Sequence, residues 1–403
     1  MYVDAANPLK DQHHLEENFG KLECNASRIY RKIIKAYEDG RPAIWLQRTE
    51  KDTLRKFIFL LAYRSEQYHR HYNVDDIQSY DADDKELLRD YMQTNGLAKP
   101  IDVWFQSLEA IINLEMDAEG HWQYDIKRKI YFPIADLFVD HICNTYLAIC
   151  TPESGDEEFV LTENGYNVWE GPTTHYLDES TGKHVCMSPR FHSFAPISPR
   201  LMIVLRSNLL PEMSEDADPD IRQMRQLHRE MWIGALYGPG KVSIMEDLPV
   251  RKAINSYMEL ANGRLTPKPG WSRRLDKNDD FSFSFFPIST RHSRIINGLL
   301  LDHAFHGSKV MFNRKDAFLD LIEWYLTEPC EVGKNVMGEH AGKQMEYIKG
   351  LARFMLREGR EVEASMAMWP SQTGLDMEQF LLGNIAGARA LRDMMMWDEP
   401  GFL

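Results

Sequence analysis

The residues best placed to do chemistry are Thr162-Glu163-Asn164, which follow the apolar run Phe159-Val160-Leu161 and precede Gly165. A carboxylate and an amide where a strand meets a turn can project into a cleft. The plainer reading is an Asn-Gly turn beside a solvated glutamate. Arg64 lies four residues after Leu60 and three after Leu61, on or beside the apolar stripe of a predicted helix. A buried guanidinium needs a carboxylate or an anion. Glu16 or Glu23 of the first helix, or Glu163, could supply it, and structural ion pairing is the default. Glu163, Asn164, Arg64 and Glu23 are therefore the candidate catalytic set. The arginine would hold an anion and the carboxylates would act as base or metal ligands, as in a hydrolase or nuclease.

Other constellations are weaker. The histidines His13-His14, His69-x-His71, His141, His175, His184 and His192 lack the i, i+4 pairing of helical metal ligands. Asp136 and Asp140 share a helix face with His141 beside it, but no zinc, calcium or nucleotide motif is complete. No metal and no cofactor are expected. There is no G-x-S-x-G, no P-loop, no G-x-G-x-x-G and no kinase set.

The elements that must position these residues read as mostly helical. Helices are expected over 11–39, 50–72 (with Thr49 and Asp52 as an approximate capping box), 84–96, 101–116, 134–150, 219–236, 249–261, 289–306 and 314–327. Ser289 is a plausible cap for its helix. Weaker, Met-rich helices are expected near 340–358 and 375–396. Strands are expected at 158–162, at 166–169, at Leu201-Met202-Ile203-Val204-Leu205 and at the alternating Phe281-Ser282-Phe283-Ser284-Phe285. A weak fourth strand falls near 308–312, and a small hairpin near Ser180-Thr181-Gly182. Ser193-Phe-Ala-Pro-Ile-Ser198 recurs as Ser284-Phe-Phe-Pro-Ile-Ser289. The repeat suggests two segments side by side in one sheet, ending at the same level. The fold class is α+β, mostly helical, with a small mixed or antiparallel sheet near 158–206 and 281–312. Residues 1–330 read as one helical α+β domain and 331–403 as a peripheral helical extension.

Composition is that of a soluble globular chain: 403 residues, 43% hydrophobic and 27% charged. The net charge of −14 disfavours nonspecific nucleic-acid binding. Five scattered cysteines without a C-x-x-C pair fit reduced thiols in a cytoplasmic protein. The N-terminus lacks the features of a signal peptide, and no apolar run is long enough for a membrane span. The Met-rich C-terminal helices are the expected place for a protein partner.

Several segments taken jointly carry a resemblance. They are Leu15-Glu-Glu-Asn-Phe-Gly-Lys-Leu-Glu23, the Leu-Arg-Lys-Phe…Tyr-Arg-Ser run through Arg64, Tyr80-Asp-Ala-Asp-Asp84, Pro100-Ile-Asp-Val-Trp-Phe105, Ala148-Ile-Cys-Thr-Pro152, Leu161-Thr-Glu-Asn164, Pro196-Ile-Ser-Pro199 and Phe286-Pro-Ile-Ser289. Over roughly residues 1–330 the chain resembles the fungal branch of the family called domain of unknown function 4238. The family's usual opening motif, of the type His-His-Tyr-Val-Pro-Gln, is not found here, and Glu163-Asn164-Gly165 departs from the family's Thr-Ser-Asp-Asn-Pro. The resemblance implies no assigned reaction, substrate or cofactor. The expectation is a binding or degenerate, non-catalytic member; the alternative is a hydrolase or nuclease-like enzyme with a cleft at Arg64, Glu163, Asn164 and an acid of the first helix.

Overall fold

The computed structural model describes residues 14–171, 174–178, 183–187, 189–234, 242–261, 264–271, 274–328 and 341–364. Its centre is a mixed sheet with a helical layer on each face. The strands are β1 (Ala43–Gln47), β2 (Thr145–Pro152), β4 (Trp169–Glu170), β7 (His192–Ser198), β8 (Leu201–Ser207), β9 (Ile254–Asn255) and β12 (Asp280–Ile288). They run in the order β1-β12-β2-β8-β7-β4, with β9 also paired to β12. Only β12 and β2 are parallel; the other neighbours are antiparallel.

Alternation along each strand divides the core in two. Leu147, Ile149, Ala195, Ile203, Leu205, Phe281, Phe283 and Phe285 face the N-terminal helices. These are α1 (His14–Glu38), α2 (Arg48–Tyr63), α3 (Glu66–Tyr72), α4 (Lys85–Asn95), α5 (Pro100–Ile112), α6 (Trp122–Lys129) and α7 (Phe132–Cys143). Tyr146, Ala148, Cys150, Phe194, Met202, Val204 and Ile288 face the other way. That side is covered by helices Thr290–Asp302, Lys315–Thr327 and Ala341–Arg357, which follow α8 (Pro219–Arg229) as α9, α10 and α11. Ile348 and Met355 of α11 are buried there.

Several expectations are corrected. The apolar run 134–150 is two elements: α7 ends at Cys143, capped by Asn144, and β2 begins at Thr145. β2 is buried along both faces, so it lacks the alternation that marks a half-buried strand. The stretch 249–261 forms β9 and β10 (Met258–Ala261) rather than a helix; β10 pairs with β11 (Arg264–Pro267). The helix expected over 50–72 breaks at Arg64-Ser65, and its cap is Gln47, whose N–H meets the Glu50 carboxylate at 3.0 Å. The strands expected near 158–162 and 308–312 are short, β3 (Leu161–Thr162) and β13 (Val310–Met311), and pair with each other outside the main sheet. β5 (Thr174–Asp178) pairs antiparallel with β6 (Lys183–Met187), as the hairpin reading requires. The helix expected at 375–396 lies outside the described residues.

The two Pro-Ile-Ser segments are not neighbours, since β2 and β8 lie between β7 and β12. They nevertheless run in the same direction. Following the register across, Phe286 aligns with Cys150, Met202 and Pro196, so Pro196 and Pro287 lie within one residue of the same level.

Candidate functional site

The residues proposed from sequence occupy separate settings. The Glu163 carboxylate accepts the Ser308 N–H and, at 3.1 Å, the Ser308 hydroxyl, which ties β3 to the turn before β13. The Ser308 N–H, and then its hydroxyl, hold this exposed carboxyl below the usual range. A Cβ at Gly307 would come within 2.9 Å of the same carboxylate. Asn164 opens a short helical turn (Gly165–Asn167), its carbonyl accepting from Asn167 N at 2.9 Å. Arg64 is the half-buried cap residue that ends α2, and its guanidinium lies 3.7 Å above the Phe19 ring of α1. It is therefore not a fully buried mid-helix arginine. Glu23 is exposed on α1.

What the sheet edge assembles is different, and it follows from the two-residue period of strands. Trp169, Ser193 and Leu205 align across β4, β7 and β8 and face the N-terminal helices. Glu170, His192 and Arg206 are the next row and face the opposite side, continued onto β2 by Tyr146.

The second row is a buried polar chain, with Glu170, His192 and Arg206 all at 3% exposure or less. Glu170 accepts from Ser243 Oγ at 2.8 Å, Ile244 N at 3.0 Å and His192 Nδ1 at 2.7 Å. With Nδ1 donating, His192 Nε2 accepts from Arg206 Nη1 at 3.1 Å. Burial lowers the His192 pKa, and the Glu170 carboxylate places a proton on Nδ1. Arg206 also donates to the carbonyls of Pro211 at 3.0 Å and Glu246 at 2.8 Å. The charges cancel within the row, and the Ser243 hydroxyl donates to a carboxylate instead of meeting a free imidazole nitrogen. The arrangement pins the 243–248 turn to the sheet and is not that of an activated nucleophile. Nearby, Ser289, His292 and Asp247 have the residue types of a hydrolytic triad. Ser289, however, caps α9, and His292 bridges it to an exposed Asp247 at 3.1 Å.

The first row opens into a cleft of about 60 Å³ between α2, α7 and the sheet edge. Phe59, Tyr63, Tyr68, Tyr166 and Trp169 wall it, and Asp140, His141 and Arg190 supply its charged and titratable groups. The exposed Arg190 guanidinium sits 4.6 Å from the Trp169 ring and 3.5 Å from the Tyr68 hydroxyl. Burial raises the Asp140 carboxyl above its ordinary range, although the side chain keeps a solvent-accessible edge. Burial, then the Arg55 charge, push the His141 pKa down to about 3. Its Nε2 lies 2.9 Å from the Arg55 carbonyl, which fixes the proton on that nitrogen.

Sequence reading weighed Asp140 and His141 only as metal ligands, and missed Arg190, Trp169 and Tyr68. The missing signal was strand pairing: nothing local says that residues 169, 193 and 205 align. One further cluster lies in the turn before α6. Asp117, Glu119 and His121 bring ligand-type atoms within 4.8 Å of one another, all exposed. The Asp117 carboxylate already accepts the backbone N–H groups of His121 and Trp122 at 3.0 and 2.8 Å, which is a structural use.

Residues 1–316 match the model of a protein family described as "Protein of unknown function (DUF4238)". No curated protein and no solved structure matches the chain.

Proposed function

The chain belongs to the DUF4238 family, and from that premise we propose that it works by binding a small planar carboxylate in the cleft beside Trp169. The observation that carries the reading is Arg190: an exposed cation stacked on an indole, at the mouth of an aromatic-walled cleft. Guanidinium groups recognise carboxylates through paired N–H donors, and the aromatic walls suit a flat body.

Binding is favoured over catalysis by His141. A general base works best with a pKa near the operating pH. An imidazole held at about 3 is too weak a base to take a proton near neutrality. The rival reading, a hydrolase built on Arg64, Glu163, Asn164 and Glu23, is weakened because Ser308 already engages the Glu163 carboxylate.

Thermal-shift and calorimetric titration with benzoate, short aliphatic carboxylates and inorganic phosphate tests the reading. Wild type should bind a carboxylate in preference to phosphate, and Arg190→Ala should lose that binding while keeping its melting temperature. Equal binding by the variant, or no carboxylate binding by either protein, would sink it. We also place the chain in the cytoplasm, since Cys24, Cys143 and Cys150 are free thiols, and in the family's fungal branch on the joint resemblance of the segments from Leu15 to Ser289. Among the described residues no helix is long and apolar enough to cross a membrane. Cell fractionation checks the location.

A further inference from the structure

Helix α8 is docked inside out. None of its residues is buried. Its attachment to the body is made by arginines. Arg225 reaches Asp216 at 3.0 Å, Glu215, and the carbonyls of Asn208 at 2.7 Å and Leu210 at 3.2 Å. Arg229 makes a two-pronged pair with Glu246 at 2.9 and 2.7 Å. The apolar side chains point outward: Met224 is 59% exposed and Leu227 50%, with Ile221 before them and Met231 after at 36% and 48%. At about 100° per residue Ile221, Met224 and Leu227 fall on one arc of the helix, away from Arg225 and Arg229, and Met231 follows in the π-helical turn Glu230–Gly234. Amphipathic helices normally bury such an arc, and an exposed one marks an interaction face.

We propose that this face pairs with α8 of a second copy of the chain, antiparallel, about a two-fold axis at Met224. Charge complementarity selects that occupant and that register. With Met224 opposite its own equivalent, Ile221 meets Leu227 of the partner copy. Asp220, exposed near the acidic start of the helix, meets the exposed His228 near its end. This contact forms twice, as an isologous interface requires. The antiparallel arrangement also sets the two helix dipoles in the favourable sense. Three side chains on one short helix and a fourth just beyond its end fall below the roughly 800 Å² per partner of a standard stable interface. The dimer is therefore weak, with a dissociation constant on the order of micromolar or above.

Sedimentation velocity on the full chain, from about 1 to about 200 μM so as to bracket such a constant, tests the proposal. The 47.0 kDa monomer should convert toward a dimer with concentration. Leu227→Glu should raise the dissociation constant at least about tenfold, as a central apolar anchor does. His228→Asp, at an exposed position that leaves the fold intact, should also weaken the dimer by setting two acids face to face. Met224→Cys should form a disulfide-linked dimer on mild oxidation, above the background that exposed Cys24 gives in wild type. A chain that stays monomeric throughout overturns the proposal and leaves the face to another helix. A dimer unaffected by Leu227→Glu overturns it as well.

Discussion

Arg55 and His141 each bind the other's backbone. Arg55 Nη2 donates to the His141 carbonyl at 2.7 Å, and His141 Nε2 donates to the Arg55 carbonyl at 2.9 Å. The same guanidinium nitrogen reaches the carbonyl and hydroxyl of Thr145, both at 2.8 Å. One buried side chain thus ties the middle of α2 to the last turn of α7 and to the first residue of β2. It serves carbonyls that the end of a helix leaves without partners.

Replacing that side chain should be costly. Arg55→Met keeps some of the bulk but removes the guanidinium donor from the Thr145 carbonyl and one of the two donors from the His141 carbonyl, which keeps the Thr145 hydroxyl at 2.8 Å. The expected loss is about 3 kcal/mol, in the range for breaking a buried charged hydrogen-bond network. Urea unfolding measures it. A loss within experimental error would mean that the freed carbonyls find other donors.

Histidine burial sets a pH dependence whose sign is definite. His141 is held at about 3, by burial first and by Arg55 second, against about 6.5 in the unfolded chain. The unfolded state therefore takes up the proton first. The stabilisation is complete above about pH 6.5 and is lost as pH falls toward about 3, with a slope of at most about 1.4 kcal/mol per unit. Burial also lowers the His192 and His71 pKa values, so these two add in the same direction. The melting temperature should fall between pH 6.5 and 4, and His141→Gln should flatten the profile. A profile identical in the two proteins would remove His141 from the account.

The buried row offers a test that preserves shape. Glu170→Gln keeps the size of the side chain and removes the carboxylate that His192 and Ser243 share. Arg206 then keeps Glu246 and Glu212 as nearby carboxylates but loses the counter-charge of its own row, and His192 and Ser243 lose their shared acceptor, which together should cost about 3 kcal/mol. Chemical denaturation reads the loss. Full stability in the variant would show that the Glu246 and Pro211 carbonyls suffice for Arg206.

Gly171 links stability to the cleft. A Cβ there would lie 1.7 Å from the Pro189 carbonyl oxygen, so the backbone must move. Gly171→Ala should cost about 1–3 kcal/mol and displace the adjacent Arg190. Carboxylate affinity should fall together with the melting temperature, whereas Arg190→Ala should lower affinity alone. Unchanged affinity in Gly171→Ala would separate the two effects.

The legible parts of the fold were those with a local signature. β12 alternates phenylalanine with serine and was recognised, and Ser289 accepts the His292 N–H as a cap should. β8 was recognised as an apolar run too short for a helix, although all seven of its residues are buried. β2 has the same character but abuts the apolar α7, so the two ran together as one helix. The cleft and the buried row could not be read, because they depend on which residues of three strands align. Arg206 carried the one available hint: a charged residue at the end of a fully apolar strand must find a partner inside.

That alignment also decides which genetic changes the protein can absorb. Trp169, Ser193 and Leu205 shape the cleft, while their immediate neighbours Glu170, His192 and Arg206 form the buried chain. Loss or gain of one residue between Gly171 and His192 that shifted β7 against β8 would exchange the two faces at once. It would put an imidazole into the cleft and strand a glutamate and an arginine in the core. Descendants of this chain can therefore retune the cleft freely by substitution, at Arg190 above all, while single-residue insertions and deletions that alter the pairing are closed to them.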